Sequence, residues 1–191
     1  MKQRAKEEFL RLLAPVYPRL SRYTFAITRN SEEAKDLASD TVLIALEQFE
    51  KMKSQDHFAG LLFKIASRLH KRRRYRERFR MTYNREIAEA REDSAPMPDQ
   101  AAEIAIVMQA LDKLPEKMKE AIVLADVADL SLEEIRAIQG GTLSGVKSRI
   151  KRGREMLQEH LGIKKELKMT IPGKRNEQFV PAINKGEYYV L

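Results

Sequence analysis

The sequence contains no cysteine, which excludes disulfide bridges and thiolate metal sites. Its three histidines, His57, His70 and His160, are scattered along the chain and lack the spacing of metal ligands. Its longest apolar runs, such as VLIAL and AIVLA, are far too short to span a bilayer. The first residues also lack the apolar core of a secretion signal, so a cytoplasmic location without membrane insertion is expected.

Charge, by contrast, is abundant. The 191 residues include 36 Lys and Arg against 28 Asp and Glu, which gives a net charge of +8. This balance favours nucleic acid or an anionic membrane surface as a partner. Runs of β-branched residues with alternating polarity are missing before about the last dozen residues, so the expected fold class is all-α.

Composition divides the chain into two expected helical domains joined by an acidic linker. Residues 1–83 predict an N-terminal helical bundle, and residues 103–162 predict a four-helix C-terminal domain. Between them, residues 84–102 are rich in acids and carry two prolines, which is typical of a flexible linker. Residues 163–191 form a C-terminal extension of unknown role, either a disordered appendage or an extra regulatory or polymerase-contacting segment.

The N-terminal bundle is expected to begin with one long helix. Its apolar pattern runs from about residue 6 to residue 28 and tolerates or kinks at Pro15 and Pro18. Ser31 is the expected N-cap of the next helix, because two acids follow it in the first turn, where the helix dipole favours them.

A helix-turn-helix is the clearest motif of the C-terminal domain. Ser131 and Glu134 have the spacing of a capping box, the glycine pair of QGG marks a turn, and Thr142 is placed to cap the second helix. On that helix an apolar stripe recurs at i, i+4, i+7 and i+11, formed by Val146, Ile150, Gly153 and Leu157. Basic residues flank the stripe, so the helix either docks by its back and reads DNA with its front or is the solvated face of an ordinary hairpin.

A second basic segment, KIASRLHKRRRYRERFR, lies near the end of the predicted N-terminal bundle. Its cations face one acid within the segment, Glu77, and such a density of like charge repels itself unless a polyanion is present. The segment therefore indicates a nucleic-acid contact or, alternatively, a solvated charge run. Tyr75 and Phe79 either stack on unpaired bases or arginines or pack on a neighbouring helix.

An acidic stripe runs along the second predicted helix. Residues at i, i+4, i+7 and i+11 share one face, and they are Asp36, Asp40, Leu43 and Glu47. The stripe is either a solvated face or a docking surface for a basic partner protein. Paired carboxylates also serve acid–base catalysis or bind divalent metals, but no histidine, nucleophile or glycine-rich phosphate loop stands near them in sequence. No enzyme activity, cofactor, metal or small-molecule substrate is therefore expected.

Two stretches resemble one family. NSEEAKDLASDTVLIAL resembles the core-binding segment of bacterial RNA polymerase sigma factors of the extracytoplasmic-function (ECF) subclass. The C-terminal stretch is similar to the promoter-reading domain of the same family, and its strongest markers are Leu114–Pro115, Leu130–Ile135 and Val146–Glu155. The resemblance implies a subunit that binds the clamp and flap regions of core RNA polymerase and directs promoter-specific transcription initiation. Promoter DNA is the second implied partner, and an anti-sigma factor is a further candidate partner.

The resemblance also assigns roles to residues. Contact with the polymerase falls on the acidic stripe, at Asp36, Asp40, Leu43 and Glu47. Capture of the unpaired −10 element falls on basic residues of the third helix, which are Lys64, Arg68, Lys71 and Arg72. Reading of the −35 duplex falls on the helix-turn-helix, at Thr142, Ser144, Lys147, Ser148, Lys151 and Arg152.

The sequence departs from the family pattern in the third helix and in the helix-turn-helix. Leu61, Arg68 and Arg72 stand where the family has an aromatic residue, Asn and Asp, which bears on the −10 sequence preference. Gly141 replaces a bulky apolar residue in the turn, and Gly145 replaces a threonine early in the recognition helix, where glycine costs roughly 1 kcal/mol. The alternative function is a stand-alone helix-turn-helix regulator that binds an operator without polymerase.

Overall fold

The protein is all-α, as its sequence predicts. The computed structural model describes residues 3–52, 57–83 and 100–163, and these residues contain helices and turns but no strand. Two predicted segments fall largely elsewhere, since most of the acidic linker (84–99) and nearly all of the C-terminal extension (164–191) lie outside the described residues.

The described helices group into an N-terminal and a C-terminal unit. The N-terminal unit consists of α1 Gln3–Leu13, α2 Tyr17–Thr28, α3 Ser31–Phe49 and α4 Phe58–Tyr83. The C-terminal unit consists of α5 Gln100–Asp112, α6 Glu116–Ile122, α7 Leu132–Gln139 and α8 Leu143–His160. A π-helical turn, Val123–Val127, continues α6 toward α7.

The prediction of one long first helix is wrong, because the chain breaks between α1 and α2. The break contains Pro15, which has no N–H to donate, and the amide of Val16 instead donates to the carbonyl of Leu13 over 2.9 Å. Pro18 lies in the first turn of α2, where its missing N–H costs no helical hydrogen bond. The second proline therefore starts a helix rather than kinking one.

The helix caps are partly as predicted. Ser31 was expected to cap α3, but the cap is Asn30, whose side chain accepts a 2.9 Å hydrogen bond from the amide of Glu33. An amide side chain is as good a cap as a hydroxyl, and the sequence offers both residues in succession. The capping box of Ser131 and Glu134 at the start of α7 and the Thr142 cap of α8 are confirmed.

Edge-to-face aromatic pairs join the four helices of the N-terminal unit. Phe9 contacts Phe49 and Phe58 edge-on, with ring centroids 5.3 Å and 5.4 Å apart. Tyr23 meets Phe63 in the same way at 5.3 Å. Such edge-to-face pairs add to the burial of apolar surface, and they fix α1, α3 and α4 around α2.

The two units pack against each other. Helix α2 lies against the π-helical turn that follows α6, and α4 lies against α7. The buried apolar residues of both units form one cluster, which includes Phe9 and Leu20 of the N-terminal unit and Ile135 and Leu157 of the C-terminal unit. Two basic helices, α4 and α8, are therefore held in one body.

Candidate nucleic-acid interface

The helix-turn-helix has the geometry that its sequence predicts. Helix α7 ends at a turn in which Gly140 and Gly141 have φ values of 76° and 90°. Side chains with a Cβ rarely adopt this left-handed region, so the glycine pair makes the sharp turn possible. In particular, the bulky residue that the family places at position 141 would be strained in this backbone.

Helix α8 is buried along the predicted stripe. Val146, Ile150, Gly153 and Leu157 are its buried residues. A Cβ on Gly153 would lie only 2.7 Å from Cδ1 of Ile122, so the glycine allows α8 to approach α6 closely. This packing turns the opposite face of α8 toward solvent.

The outward face of α8 carries the residues predicted to read the −35 duplex. All of them are exposed: Thr142, Ser144, Lys147, Ser148, Lys151 and Arg152. Thr142 is already engaged as the cap, since its Oγ1 accepts from the amide of Gly145 over 3.1 Å and lies 3.1 Å from Oγ of Ser144. A Cβ on Gly145 would lie 3.1 Å from the same Oγ1, so the threonine that the family has at position 145 would press on this cap.

The five cations of α8 fall into two classes. Arg149 donates to Oε1 of Gln139 over 2.6 Å, and Arg154 forms an ion pair with Asp126 of the preceding π-helical turn. These two arginines hold α8 to its own unit. The remaining cations are exposed and form no ion pair within the described part of the chain, and they are Lys147, Lys151 and Arg152.

The four basic residues predicted to bind the −10 strand lie at neighbouring exposed positions of α4, but one of them also contacts the C-terminal unit. Lys64, Arg68 and Arg72 recur at i, i+4 and i+8, and all three are exposed. Lys71 points toward the C-terminal unit, where its Nζ lies 3.0 Å from Oε1 of Glu120. Leu61, at the position of the family's aromatic residue, is half-buried. The structure therefore keeps all four on one side of α4 and engages one of them, Lys71, in a contact between the units.

The acidic stripe of α3 is exposed along its length. Its members are Asp36, Asp40, Leu43 and Glu47. Leu43 retains 56% of its accessible surface and gives the stripe one apolar side chain among its carboxylates. Asp40 is tied to α4 through a 2.6 Å contact with Arg73, so the stripe is held in a fixed position relative to the basic helix.

Sequence reasoning missed the acids that face α4 from the C-terminal unit. Glu116 pairs with Arg74, and Glu120 pairs with Lys71 and accepts from Oγ of Ser67. The available signal was a pair of glutamates four residues apart on one face of α6, directly before an apolar run. Nothing in the sequence said which surface that face would meet.

Ionisable groups at this contact have altered proton affinities. Burial, with a smaller effect of the nearby Arg74, lowers the pKa of His70 to about 4. Burial raises the pKa of Glu116, but the hydrogen bond and charge of Arg74, together with the charges of Lys119 and His70, offset burial, so that this pKa lies below its usual value. Nε2 of His70 is buried and has no hydrogen-bond partner among the described residues.

The described ranges contain neither a candidate metal site nor a candidate membrane span. No group of three or more histidine or acidic side chains there could hold a metal ion. Nor is any of the described helices both long enough and apolar enough to cross a membrane.

Comparison with known proteins places this arrangement in a family. Residues 104–157 match the Sigma-70, region 4 family. The ECF RNA polymerase sigma factor EcfG of Rhodopseudomonas palustris is 31% identical over 147 residues, which cover 76% of this chain and 80% of that protein. The ECF sigma factor SigE of Mycolicibacterium smegmatis is 32% identical over 148 residues, which cover 75% of this chain and 57% of that longer protein.

The fold has a solved counterpart. The sigma factor RpoE of Bartonella quintana, crystallised with the anti-sigma factor NepR, superposes with a TM-score of 0.71 at 27% identity. The match covers 83% of this chain and 99% of that chain. From the helix-turn-helix, the region 4 match and the likeness to EcfG along most of both sequences, it follows that the chain belongs to the ECF RNA polymerase sigma factors.

Proposed function

We propose that this sigma factor makes two contacts with promoter DNA while bound to core RNA polymerase. Helix α8 reads the −35 duplex, and the exposed side of α4 holds the unpaired −10 strand. The chain performs no chemistry of its own and acts in the cytoplasm. It supplies promoter specificity to a polymerase that initiates transcription.

The proposal depends on one observation: some cations of α8 are bound within the C-terminal unit, and the others are exposed without an ion pair among the described residues. Arg149 and Arg154 are bound within the C-terminal unit, whereas Lys147, Lys151 and Arg152 project from the face opposite the buried stripe. A recognition helix in the major groove needs this division, because cations that contact phosphates and guanine edges must not be neutralised by the protein itself. Ser148 adds a hydroxyl to the same surface.

The proposed −10 contact rests on phosphates more than on bases. Lys64, Arg68 and Arg72 form an exposed basic row on α4, and cations track the backbone of a single strand without regard to sequence. Arg68 and Arg72 replace the Asn and Asp of the family pattern. We therefore expect weaker base preference at −10 and stronger dependence on salt than that pattern implies.

The proposed polymerase surface is the acidic stripe of α3. Leu43 gives the stripe an apolar centre, and its carboxylates give it a charge that suits a basic surface. In this arrangement residues 1–83 are the polymerase and −10 domain, residues 103–162 are the −35 domain, and residues 84–102 link them. An anti-sigma factor is a further proposed partner, because the structure of the Bartonella sigma factor is a complex with an anti-sigma factor.

A stand-alone helix-turn-helix regulator is the weaker candidate. The likeness to ECF sigma factors extends over both units, whereas such a regulator would need only the helix-turn-helix. The proposed polymerase stripe on α3 would also have no role in it.

The deciding experiment mixes the purified chain with core RNA polymerase. We expect co-elution on gel filtration and initiation from a specific promoter that neither component transcribes alone. Leu43→Asp should weaken co-elution, while Leu10→Asp, at an exposed leucine of α1, serves as the matched control. Tight operator binding by a chain that does not bind polymerase would favour the regulator instead.

A further inference from the structure

The C-terminal unit lies along one face of α4. A Cβ on Gly60 would be 3.5 Å from Oε1 of Glu134, Ser67 donates to Glu120, and Lys71 and Arg74 pair with Glu120 and Glu116. On α4 these positions are i, i+7, i+11 and i+14, which share one face of a helix. The covered face runs beside the exposed row of cations that we assign to the −10 strand.

Glu120 is the centre of this contact. Its residue is 6% exposed, yet its carboxylate has three partners: Oγ of Ser67, Nζ of Lys71 at 3.0 Å and Nε2 of Gln139 at 2.9 Å. A buried carboxylate is stable only when it is paired in this way, and removing its partners leaves a desolvated charge. The contact therefore holds best when both units supply their groups.

In two more contacts between the units, the donor again belongs to the N-terminal unit and the acceptor to the C-terminal unit. Nε of Arg29 lies 3.1 Å from Oδ2 of Asp112, and Arg19 donates to the backbone carbonyls of Ala128 and Asp129 over 2.8 Å each. In all the hydrogen-bonded and ionic contacts described here between the units, the N-terminal unit donates and the C-terminal unit accepts. The C-terminal unit thus presents to the N-terminal unit what a nucleic acid would present: a row of anionic and carbonyl oxygens.

We propose that the acidic face of the C-terminal unit, formed by Asp112, Glu116 and Glu120, is an internal competitor for promoter DNA. In the free chain it holds Lys71 and Arg74 of α4, and the unpaired −10 strand must displace it to gain them. The proposal rests on the proposed role of α4. The −35 face of α8 lies outside this contact, so duplex recognition does not require opening.

Competition follows from the shared cations. Lys71 is half-exposed at the edge of the contact, so a phosphate can approach it while Glu120 still holds it. Each cation released from a carboxylate adds one phosphate contact, and the apparent affinity for single strands scales with the fraction of open chain. A chain that is closed about nine-tenths of the time would bind a single strand about ten-fold more weakly than a chain that is always open.

The test measures the distance between the units in the full chain. Because the sequence has no cysteine, Gln48→Cys on α3 and Glu155→Cys on α8 accept a fluorescent donor and acceptor at exposed sites. Energy transfer gives the compact fraction as single-stranded DNA of mixed sequence is added, without polymerase. We expect the strand to lower the compact fraction, and duplex DNA of the same length to leave it nearly unchanged.

Two variants should open the chain by different routes. Glu120→Gln removes the central charge but keeps the shape, and Arg19→Ala removes a contact on α2 while lowering the positive charge of the chain. Both should lower the compact fraction, and Glu120→Gln should need about ten-fold less single strand for half-maximal opening. The matched control is Asp126→Asn, which changes the net charge by the same amount as Glu120→Gln but breaks a pair inside the C-terminal unit.

The outcomes separate this proposal from the function of the chain. It is overturned if single-stranded DNA leaves the compact fraction unchanged, or if Glu120→Gln responds like Asp126→Asn. Circular dichroism confirms that each variant is folded, so a loss of energy transfer reports opening. Failure of the proposed function would show instead as absent polymerase binding and initiation, which this assay does not involve.

Discussion

Helices α4 and α8 are both strongly basic, but their cations have different partners. On α8, the internal partners come from the same unit, Gln139 and Asp126, and they leave three cations exposed. On α4, Lys71 and Arg74 are bound by acids of the other unit. In the free chain, the helix proposed to read duplex DNA therefore has its DNA-facing cations exposed and, among the described residues, unpaired. The helix proposed to hold the opened strand has two of its cations paired with acids of the other unit.

This difference matches the order of events at a promoter. A duplex must be recognised before any strand is unpaired, so an exposed −35 surface has a use at once. An exposed single-strand surface on a free, basic protein would bind unrelated nucleic acid. Covering part of α4 with an acidic face limits that binding at a cost that later contacts can offset.

The largest effect is expected at the exposed cations of α8. Replacing both Lys147 and Lys151 with alanine should weaken −35 duplex affinity on the order of a hundred-fold, because each such contact contributes about 1–3 kcal/mol. Polymerase binding should persist, since α3 is untouched. Fluorescence anisotropy with a promoter duplex and gel filtration with core polymerase measure the two properties.

A control for this variant changes two lysines elsewhere in the same unit. Lys113 and Lys117 are exposed and are not part of α8, since Lys113 follows α5 and Lys117 lies in the first turn of α6. Their double alanine variant loses the same charge and should bind the duplex within about two-fold of the original chain. Equal losses in both variants would mean that overall charge, not α8, determines binding.

Acid should open the contact on α4. The pKa of His70 is lowered to about 4 in the closed chain, and Arg74 and Lys119 add to the effect of burial, while Glu116 and Glu120 oppose it. In the open chain the pKa of His70 should return toward about 6.5. The closed form therefore binds fewer protons than the open form, and above about pH 6.5 protonation of His70 does not weaken the contact between the units. The contact between the units weakens as the pH falls from about 6.5 toward 4. At pH 5.5 the ratio of open to closed chain should be up to about ten-fold higher than at neutral pH.

Histidine variants test whether His70 causes this response. His70→Gln should remove most of the change in energy transfer between about pH 7.5 and pH 5.5, because glutamine does not titrate. His57→Gln, at an exposed histidine before α4, should keep it. A response between about pH 7.5 and pH 5.5 that survives in His70→Gln would assign the effect to other groups. Glu116 is not one of them, because its pKa lies below its ordinary value of about 4.5 and the carboxylate therefore stays largely charged over this range.

The smallest effect is expected at a cation that α8 does not offer to DNA. Arg154 is paired with Asp126, so Arg154→Ala should change duplex affinity by less than about two-fold and lower stability by under about 1 kcal/mol. Lys151→Ala, which removes the same charge three residues earlier, should weaken duplex binding by about ten-fold. Similar losses for the two variants would erase the distinction between bound and exposed cations.

Local patterns predicted much of this molecule. The stripe from Val146 to Leu157, the Ser131 capping box and the glycine turn follow from short-range spacing, which acts within one or two turns of helix. The acidic stripe of α3 is exposed as its periodicity indicates. The family resemblance rested on the same short segments, and the comparisons confirm it.

What depends on distant parts of the chain was not predicted. Residues 67 and 120 meet across 53 positions, and no helical period links them. The sequence showed that α4 is basic and that α6 carries acids, but it did not show that the two faces meet. The choice of Asn30 over Ser31 was missed because the two caps have nearly equal free energy. The break at Pro15 was missed for another reason, since the apolar pattern continues across the proline although an interior proline costs a helix about 3 kcal/mol.

The most direct test of the account is the distance between the units in an initiation-competent complex. The doubly labelled chain is bound to core RNA polymerase on a promoter, and energy transfer is compared with that of the free chain. High transfer in the free chain, with loss of transfer when the opened promoter complex forms, is the predicted result. Specific initiation by a chain that stays as compact on the polymerase as it is alone would contradict it.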